Sequence, residues 1–191
     1  MANLSWLNTG TLITLEDGSQ KAIEEIAAGD KIQTYDGSAE DFDSAHIEHN
    51  EQTSGAVTEV EENSIESVDV SKISFSNDTN LILSSDSPIH GMKTGTNWVA
   101  ASKDAAEELY GAGERTEADI EADAPESRFT ELAADDSVFV DDGEGLSYDV
   151  SVTEIESQKD EDDFTMYCIS ELDNKGGTFF ANGVLLGLGV D

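Results

Sequence analysis

Few side chains in this protein combine a reactive type with a useful spacing. His46 and His49 stand at i and i+3 in His-Ile-Glu-His, where two imidazoles could touch one metal ion. They lie in a polar stretch without a third ligand beside them, so solvated surface is expected rather than a zinc site. Asp141-Asp142-Gly143-Glu144 could hold a hydrated cation loosely, but it lacks the spacing of a calcium loop. Cys168 is the single cysteine, so an internal disulfide is ruled out and the redox compartment cannot be read from it. Its thiol would need a base or a cationic neighbour to become thiolate. Glu161, Asp162, Asp163 and Glu171 surround it instead, and it fits better as a small buried hydrophobe in a strand. Glycine-rich phosphate loops and nucleophile elbows are absent from the sequence. We therefore expect neither a cofactor nor a bound metal.

The elements that must position these residues are short and β-like. Leu12 to Leu15 and Lys31 to Tyr35 flank the first turn, and Asp17-Gly18 and Asp36-Gly37 are strong turn signals. The acidic stretch 36–53 reads as a loop. Alternation returns at Ala56 to Val60 and Ser67 to Phe75, with Asn80 to Ser84 another apolar strand. One helix is predicted after Ser102, a suitable N-cap, with Ala105, Ala106, Leu109 and Tyr110 at helical spacing and Gly111 beyond its end. Residues 112–128 are acidic and poor in apolar side chains, as in a solvated arm. Strands resume at Ser137 to Val140, Tyr148 to Ile155 and Phe164 to Leu172. A hairpin at Asn174 to Gly177 then leads into Thr178 to Leu186, folded about an Asn182-Gly183 turn. The pattern is all-β with one or two short helices.

Charge is the dominant feature of composition. Asp and Glu number 43 against 9 Lys and Arg, a formal net charge of -34 over 191 residues. So much like charge destabilises a compact state in dilute buffer. At molar salt the Debye length falls to about 3 Å and the repulsion is screened. A protein of a halophile, or of a virus infecting one, is therefore expected, with cations held loosely at its acidic surface. Nucleic-acid binding draws on Lys and Arg against phosphates, and nine scattered basic residues make no such footprint. Anionic membranes are excluded by the same shortage. The start, Met-Ala-Asn-Leu-Ser-Trp, lacks the basic and apolar regions of a signal peptide. No run approaches the 18 apolar residues of a membrane span. A soluble chain is expected, in a high-salt cytoplasm or in a particle assembled there.

Thr11 to Tyr35, a strand, an Asp-Gly turn, a short helical turn, the Gly29-Asp30 turn and a second strand, carries a resemblance together with Tyr167 to Leu186. These segments resemble the two ends of a Hint domain, the fold shared by inteins and hedgehog autoprocessing domains. Thr178-Phe-Phe-Ala-Asn-Gly-Val-Leu-Leu186 is similar to the family's Asn-Phe-Phe-Ala-Asn-Gly-Val-Leu-Val and is the most specific match. Trp98-Val99 resembles the Trp-Val pair that follows the family's central motif.

The resemblance implies where reactive residues would stand. The family's N-terminal motif sets a Cys or Ser nucleophile five residues before a Thr. With that Thr on Thr11 the nucleophile's place falls to Trp6, whose indole cannot attack a carbonyl. Ser5, one residue away, would serve only through a one-residue bulge, and an ordinary surface serine is the simpler expectation. The central Thr-x-x-His-Pro motif matches Ser84-Ser85-Asp86-Ser87-Pro88. Ser84 can stand for the Thr, but Ser87 takes the His position, and a hydroxyl is no substitute for an imidazole proton donor. His90, in an extended segment, is expected to face the other way. Met166-Tyr167-Cys168-Ile169 is similar to Val-Tyr-Asp-Leu, with Cys168 at the Asp, a place where a minority intein class carries its branching Cys. That class also has a Trp where this sequence has Ile89. The family's terminal His-Asn and Cys, Ser or Thr are replaced by Gly187, Leu188 and Gly189, and leucine cannot cyclise to release a C-terminal bond.

The resemblance implies a Hint-like horseshoe of bent antiparallel strands. Its N-terminal half would be 1–100, an acidic insertion with a helix and connecting strands would fill 101–163, and closing strands would occupy 164–191. The 101–163 stretch is too short and too poor in basic residues for a homing endonuclease. Most reaction positions are altered, and the sequence from Met1 to Asp191 leaves little to splice. The expected function is a non-catalytic structural or interaction module with protein partners or copies of itself. A capsid or tail component of a halophilic tailed virus fits the composition. Three residues remain as residual reaction candidates, Cys168, Ser5 and Ser84. Two rivals follow, a self-processing domain acting through Cys168 or Ser5, and a salt-adapted binding domain with an unrelated β-sandwich whose chain ends would lie apart.

Overall fold

A computed structural model describes residues 5–35, 51–64, 69–93, 96–110, 129–141, 146–158, 165–174 and 177–188. His46, His49, the 112–128 arm, Asp142 to Glu144 and Gly189 lie outside the described residues.

The first strands are β1 (Leu7–Asn8), β2 (Leu12–Thr14) and β3 (Gln20–Ala22). The turn joining β2 and β3 places Gly18 at φ +80°, a left-handed conformation glycine adopts without a steric penalty. Asp17 reinforces it by accepting the Ser19 N–H at 3.0 Å and the Ser19 hydroxyl at 2.6 Å, an Asx turn. A single 3₁₀ turn (Ile23–Glu25) leads to β4 (Lys31–Tyr35), and a 2.6 Å Lys21–Asp30 ion pair bridges that connection.

Next come β5 (Gln52–Ser64), β6 (Val70–Phe75), β7 (Asn80–Ser84), β8 (Ile89–Lys93) and β9 (Thr96–Ala100). β5 begins inside the stretch expected to be loop, because β4 supplies it a partner: Tyr35 pairs with Gln52 and Lys31 with Ala56. α1 (Lys103–Tyr110) starts where expected, the Ser102 hydroxyl accepting the Ala105 N–H at 3.3 Å as an N-cap. The remaining strands are β10 (Phe129–Glu131), β11 (Ser137–Asp141), β12 (Leu146–Gln158), β13 (Thr165–Leu172), β14 (Thr178–Ala181) and β15 (Val184–Gly187).

The protein is all-β, as the alternation predicts. Its strands join in the order β3-β2-β14-β15-β8-β11-β12-β6-β7-β1-β13-β5-β4, with β9 and β10 branching from β8. Pairing is antiparallel except for β9 with β10, a crossover of the kind that needs an intervening helix, here α1. The ribbon bends back on itself. β4, last in the order, meets β2 through a Leu15–Ile32 bridge and β14 through the Thr34 hydroxyl, which donates to the Thr178 carbonyl at 2.6 Å. Inside this bend Leu7, Ile13, Ile32, Ile73, Leu81 and Leu186 are fully buried, each worth about 1.5–3 kcal/mol relative to exposure.

A short hairpin joins β14 and β15. Asn182 and Gly183 both have positive φ, +48° and +79°, as a two-residue type I′ turn between β14 and β15 requires. Asn182 also ties this turn to its surroundings. Its side-chain oxygen accepts the Leu12 N–H at 2.8 Å and its side-chain nitrogen donates to the Asn80 carbonyl at 2.8 Å.

Candidate functional site

β1 is short but central. Leu7 pairs with Leu83 of β7 on one side and with Tyr167 of β13 on the other. Carrying both antiparallel registers back by one residue sets Trp6 between Ser84 and Cys168. A 2.9 Å bond from the Ser84 N–H to the Trp6 carbonyl agrees. The residue at the nucleophile's place is thus flanked by the candidates from the two other motifs, and it is an indole.

The side chains around this point are buried and mostly satisfied among themselves. The Ser84 and Ser87 hydroxyls share a 2.7 Å hydrogen bond, and Ser71 and Ser85 share another at 2.7 Å. Burial raises the Asp86 carboxyl above its usual range, while a bond with Ser84 pulls the other way. One Asp86 oxygen and the Tyr110 hydroxyl are buried without a hydrogen-bond partner. Tyr110, from α1, is held above its ordinary ionisation first by burial and then by the charges of Asp86 and Cys168.

Cys168 is fully buried. Burial pushes its thiol up to about 12, and Glu61 and Glu59 of the neighbouring strand add to the rise. At neutral pH a thiol so placed is a packing group rather than a nucleophile. The anionic neighbours that matter are thus on β5, across the β13–β5 ladder, rather than those nearby in sequence.

Ser5 corrects an expectation. It is not a surface serine: it is 1% exposed, because the segment entering β1 runs between β7 and β13. Its hydroxyl donates to the carbonyl of Gly187 at 2.6 Å. A carbonyl oxygen takes no proton from a serine, so this bond orders the hydroxyl without activating it. Gly187 is glycine for a spatial reason. A Cβ there would lie 3.0 Å from the Trp98 ring and 3.2 Å from Pro88. Its N–H donates to the Pro88 carbonyl at 2.9 Å, and the Leu188 N–H donates to Gly177 at 2.8 Å.

The structure therefore brings Ser5, Ser84 and Cys168 around the β1 entry and joins that entry to Gly187. His90 sits elsewhere. Ile89 enters the main core while the His90 imidazole lies against Trp98 and Phe139, the opposite face that alternation predicts. Among the described residues no group of three or more His, Cys, Asp or Glu could hold a metal ion. No helix among them is long and apolar enough to cross a membrane. The parts played here by Asp86, Tyr110 and Gly187 depend on residues far away in the chain and are not evident from their local sequence. Gly187 alone carries a signal, as a glycine in an otherwise apolar strand, which marks close approach of another group.

No protein-family model and no curated protein matches the sequence. Solved structures do. A bacterial intein-like domain from Clostridium thermocellum superposes with a TM-score of 0.61 at 17% identity, covering 95% of this chain and 97% of that one. A DnaB intein from Synechocystis gives 0.62 at 10% identity, covering 97% and 99%. The DnaX mini intein from Spirulina platensis gives 0.57 at 14% identity, covering 95% and 98%. Nearly the whole chain is matched in each case, at identities where the likeness is one of fold, and this protein has the fold of intein-like, Hint-type domains.

Proposed function

We propose that this domain is a non-catalytic Hint scaffold that clasps its two chain ends and serves as a structural or interaction module. The observation that carries the reading is the 2.6 Å bond from the Ser5 hydroxyl to the Gly187 carbonyl. It turns the serine nearest the nucleophile's place into a fastener between entering and leaving chain. Three features support the loss of chemistry: Trp6 stands between Ser84 and Cys168, Ser87 replaces an imidazole, and the Cys168 thiol is raised to about 12. The self-processing rival needs a thiolate or an activated hydroxyl, but the Cys168 thiol is raised to about 12 and the Ser5 hydroxyl is bound to a backbone carbonyl.

The setting we infer is a high-salt one, from the net charge of -34, with protein partners or further copies of this chain. A capsid or tail part of a tailed virus is the assembly this composition suits best. The clasp is tested by energy transfer between two fluorescent tags fused at the ends, measured in roughly molar KCl where repulsion is screened. Efficient transfer that falls in Ser5→Ala supports the reading, and tags that behave as far-separated in the wild type would refute it. The salt-adapted setting predicts a melting temperature that climbs steadily with KCl, and a flat or falling response would argue against it.

A further inference from the structure

His90 is fully buried, and neither of its ring nitrogens has a hydrogen-bond partner. Its ring packs edge-on to Trp98 of β9, 5.0 Å between centres at 64°, and to Phe139 of β11, 4.9 Å at 78°. A leucine or phenylalanine would fill this box without burying unpaired polar atoms, which are costly to hide. Trp98 has a second duty. Its ring lies over Gly187, where a Cβ would come within 3.0 Å of it, and Gly187 is the residue whose carbonyl holds Ser5. One indole thus separates the imidazole from the chain-end junction.

We propose that His90 is an acid-operated latch: protonating its imidazole unseats Trp98 from Gly187 and loosens the Ser5–Gly187 junction. The inference rests on the clasp proposed above. Among the described residues the surrounding elements carry Asp86 in the turn before β8, Asp141 at the end of β11, Tyr148 of β12 behind Phe139, with Asp149, Glu154 and Glu156 further along β12, and Tyr35 of β4, whose ring is tilted against Phe180 at 6.5 Å. Among the described residues none of these offsets the burial, which alone lowers the imidazole from 6.5 to about 4. The opened form accepts a proton near 6.5 and the closed form only near 4. The closed form is therefore at full strength above 6.5 and loses ground as pH falls from 6.5 to 4. The closed-to-open ratio drops by on the order of 100-fold across that window. Near pH 5 most surface carboxylates are still ionised, so that part of the window separates the imidazole from general acid effects.

The test follows energy transfer between end-fused tags from pH 7 to pH 4.5 in molar KCl, in wild type and His90→Phe. A wild-type signal that is high at pH 7 and falls on acidification, with His90→Phe staying high, is the expected result. A signal that stays high throughout, or falls equally in both proteins, overturns the latch and leaves the clasp standing. Low transfer already at pH 7 removes the clasp itself. If His90→Phe does not fold, NMR titration of the wild-type imidazole decides. A midpoint well below 6.5 that coincides with loss of transfer supports the latch. A midpoint at or above 6.5 means that the faces of Trp98 and Phe139 hold the ring as a cation, and overturns it.

Discussion

The hydroxyl of Ser5 donates a 2.6 Å hydrogen bond to the carbonyl of Gly187, 182 residues further along the chain. This contact joins the segment entering β1 to the last residue of β15. The side chain orders a junction.

Replacing Ser5 with alanine should cost about 1 kcal/mol, the net worth of one buried hydrogen bond. Urea denaturation in molar KCl checks the value. Because both partners are distant in sequence, the loss should also raise amide exchange at Gly187 and Leu188 before it affects β6 or β7. Uniform exchange along the whole chain would show that the junction is not a separate unit.

Cys168 should resist thiol reagents in the native protein. Its burial and its raised ionisation, to about 12, leave almost no thiolate at pH 8. As the only cysteine it gives a single readout: labelling should proceed no faster than opening of the β13–β5 ladder and should accelerate with urea. Rapid labelling of the folded chain would mean that the thiol is accessible, and would revive it as a nucleophile.

Asp86 predicts a pH effect of definite sign. Its carboxyl is raised in the folded state, chiefly by burial, so the fold binds that proton more tightly than the unfolded chain does. Its stabilising contribution is present below the ordinary carboxylate range and is lost as pH rises through the raised value. Asp86→Asn, neutral at every pH, should therefore be more stable than wild type at pH 7, and the advantage should vanish on acidification. Thermal melts of both proteins at a series of pH values decide it. A less stable variant at pH 7 would mean that the charged carboxylate is needed.

Asn182 holds the β14–β15 turn at φ +48° and bonds Leu12 and Asn80 at 2.8 Å each. Asn182→Ala should cost about 2 kcal/mol or more, combining two lost bonds with a left-handed backbone that alanine disfavours. Asn182→Gly should recover part of this through its backbone alone. If alanine and glycine prove equally damaging, the side-chain bonds carry the whole effect.

How much of this was legible depends on the distance over which each residue acts. Asp17-Gly18, Asn182-Gly183 and the alternation of Lys31 to Tyr35 declare themselves locally, so turns and most strands could be read directly. The start of β5 is hidden in the sequence, because its polar Gln52 is a strand only by virtue of pairing with Tyr35. The burial of Ser5 is hidden for a similar reason, since nothing in Leu-Ser-Trp indicates that the segment threads between β7 and β13. Trp6 at the nucleophile's place was legible from motif spacing, and the register around β1 gives that spacing a spatial meaning. The burial of Tyr110 is not legible from sequence, because it depends on how α1 packs against β10 and its Phe129.

A Hint-type fold that only holds its ends together should neither cut nor join flanking segments. Intact mass of the chain fused between two folded tags, followed over days in molar KCl, measures this. One unchanged full-length mass is expected, in wild type and in Cys168→Ala alike. Ligated tags or a released fragment, abolished by Cys168→Ala or Ser5→Ala, would contradict it and restore the domain to the self-processing class.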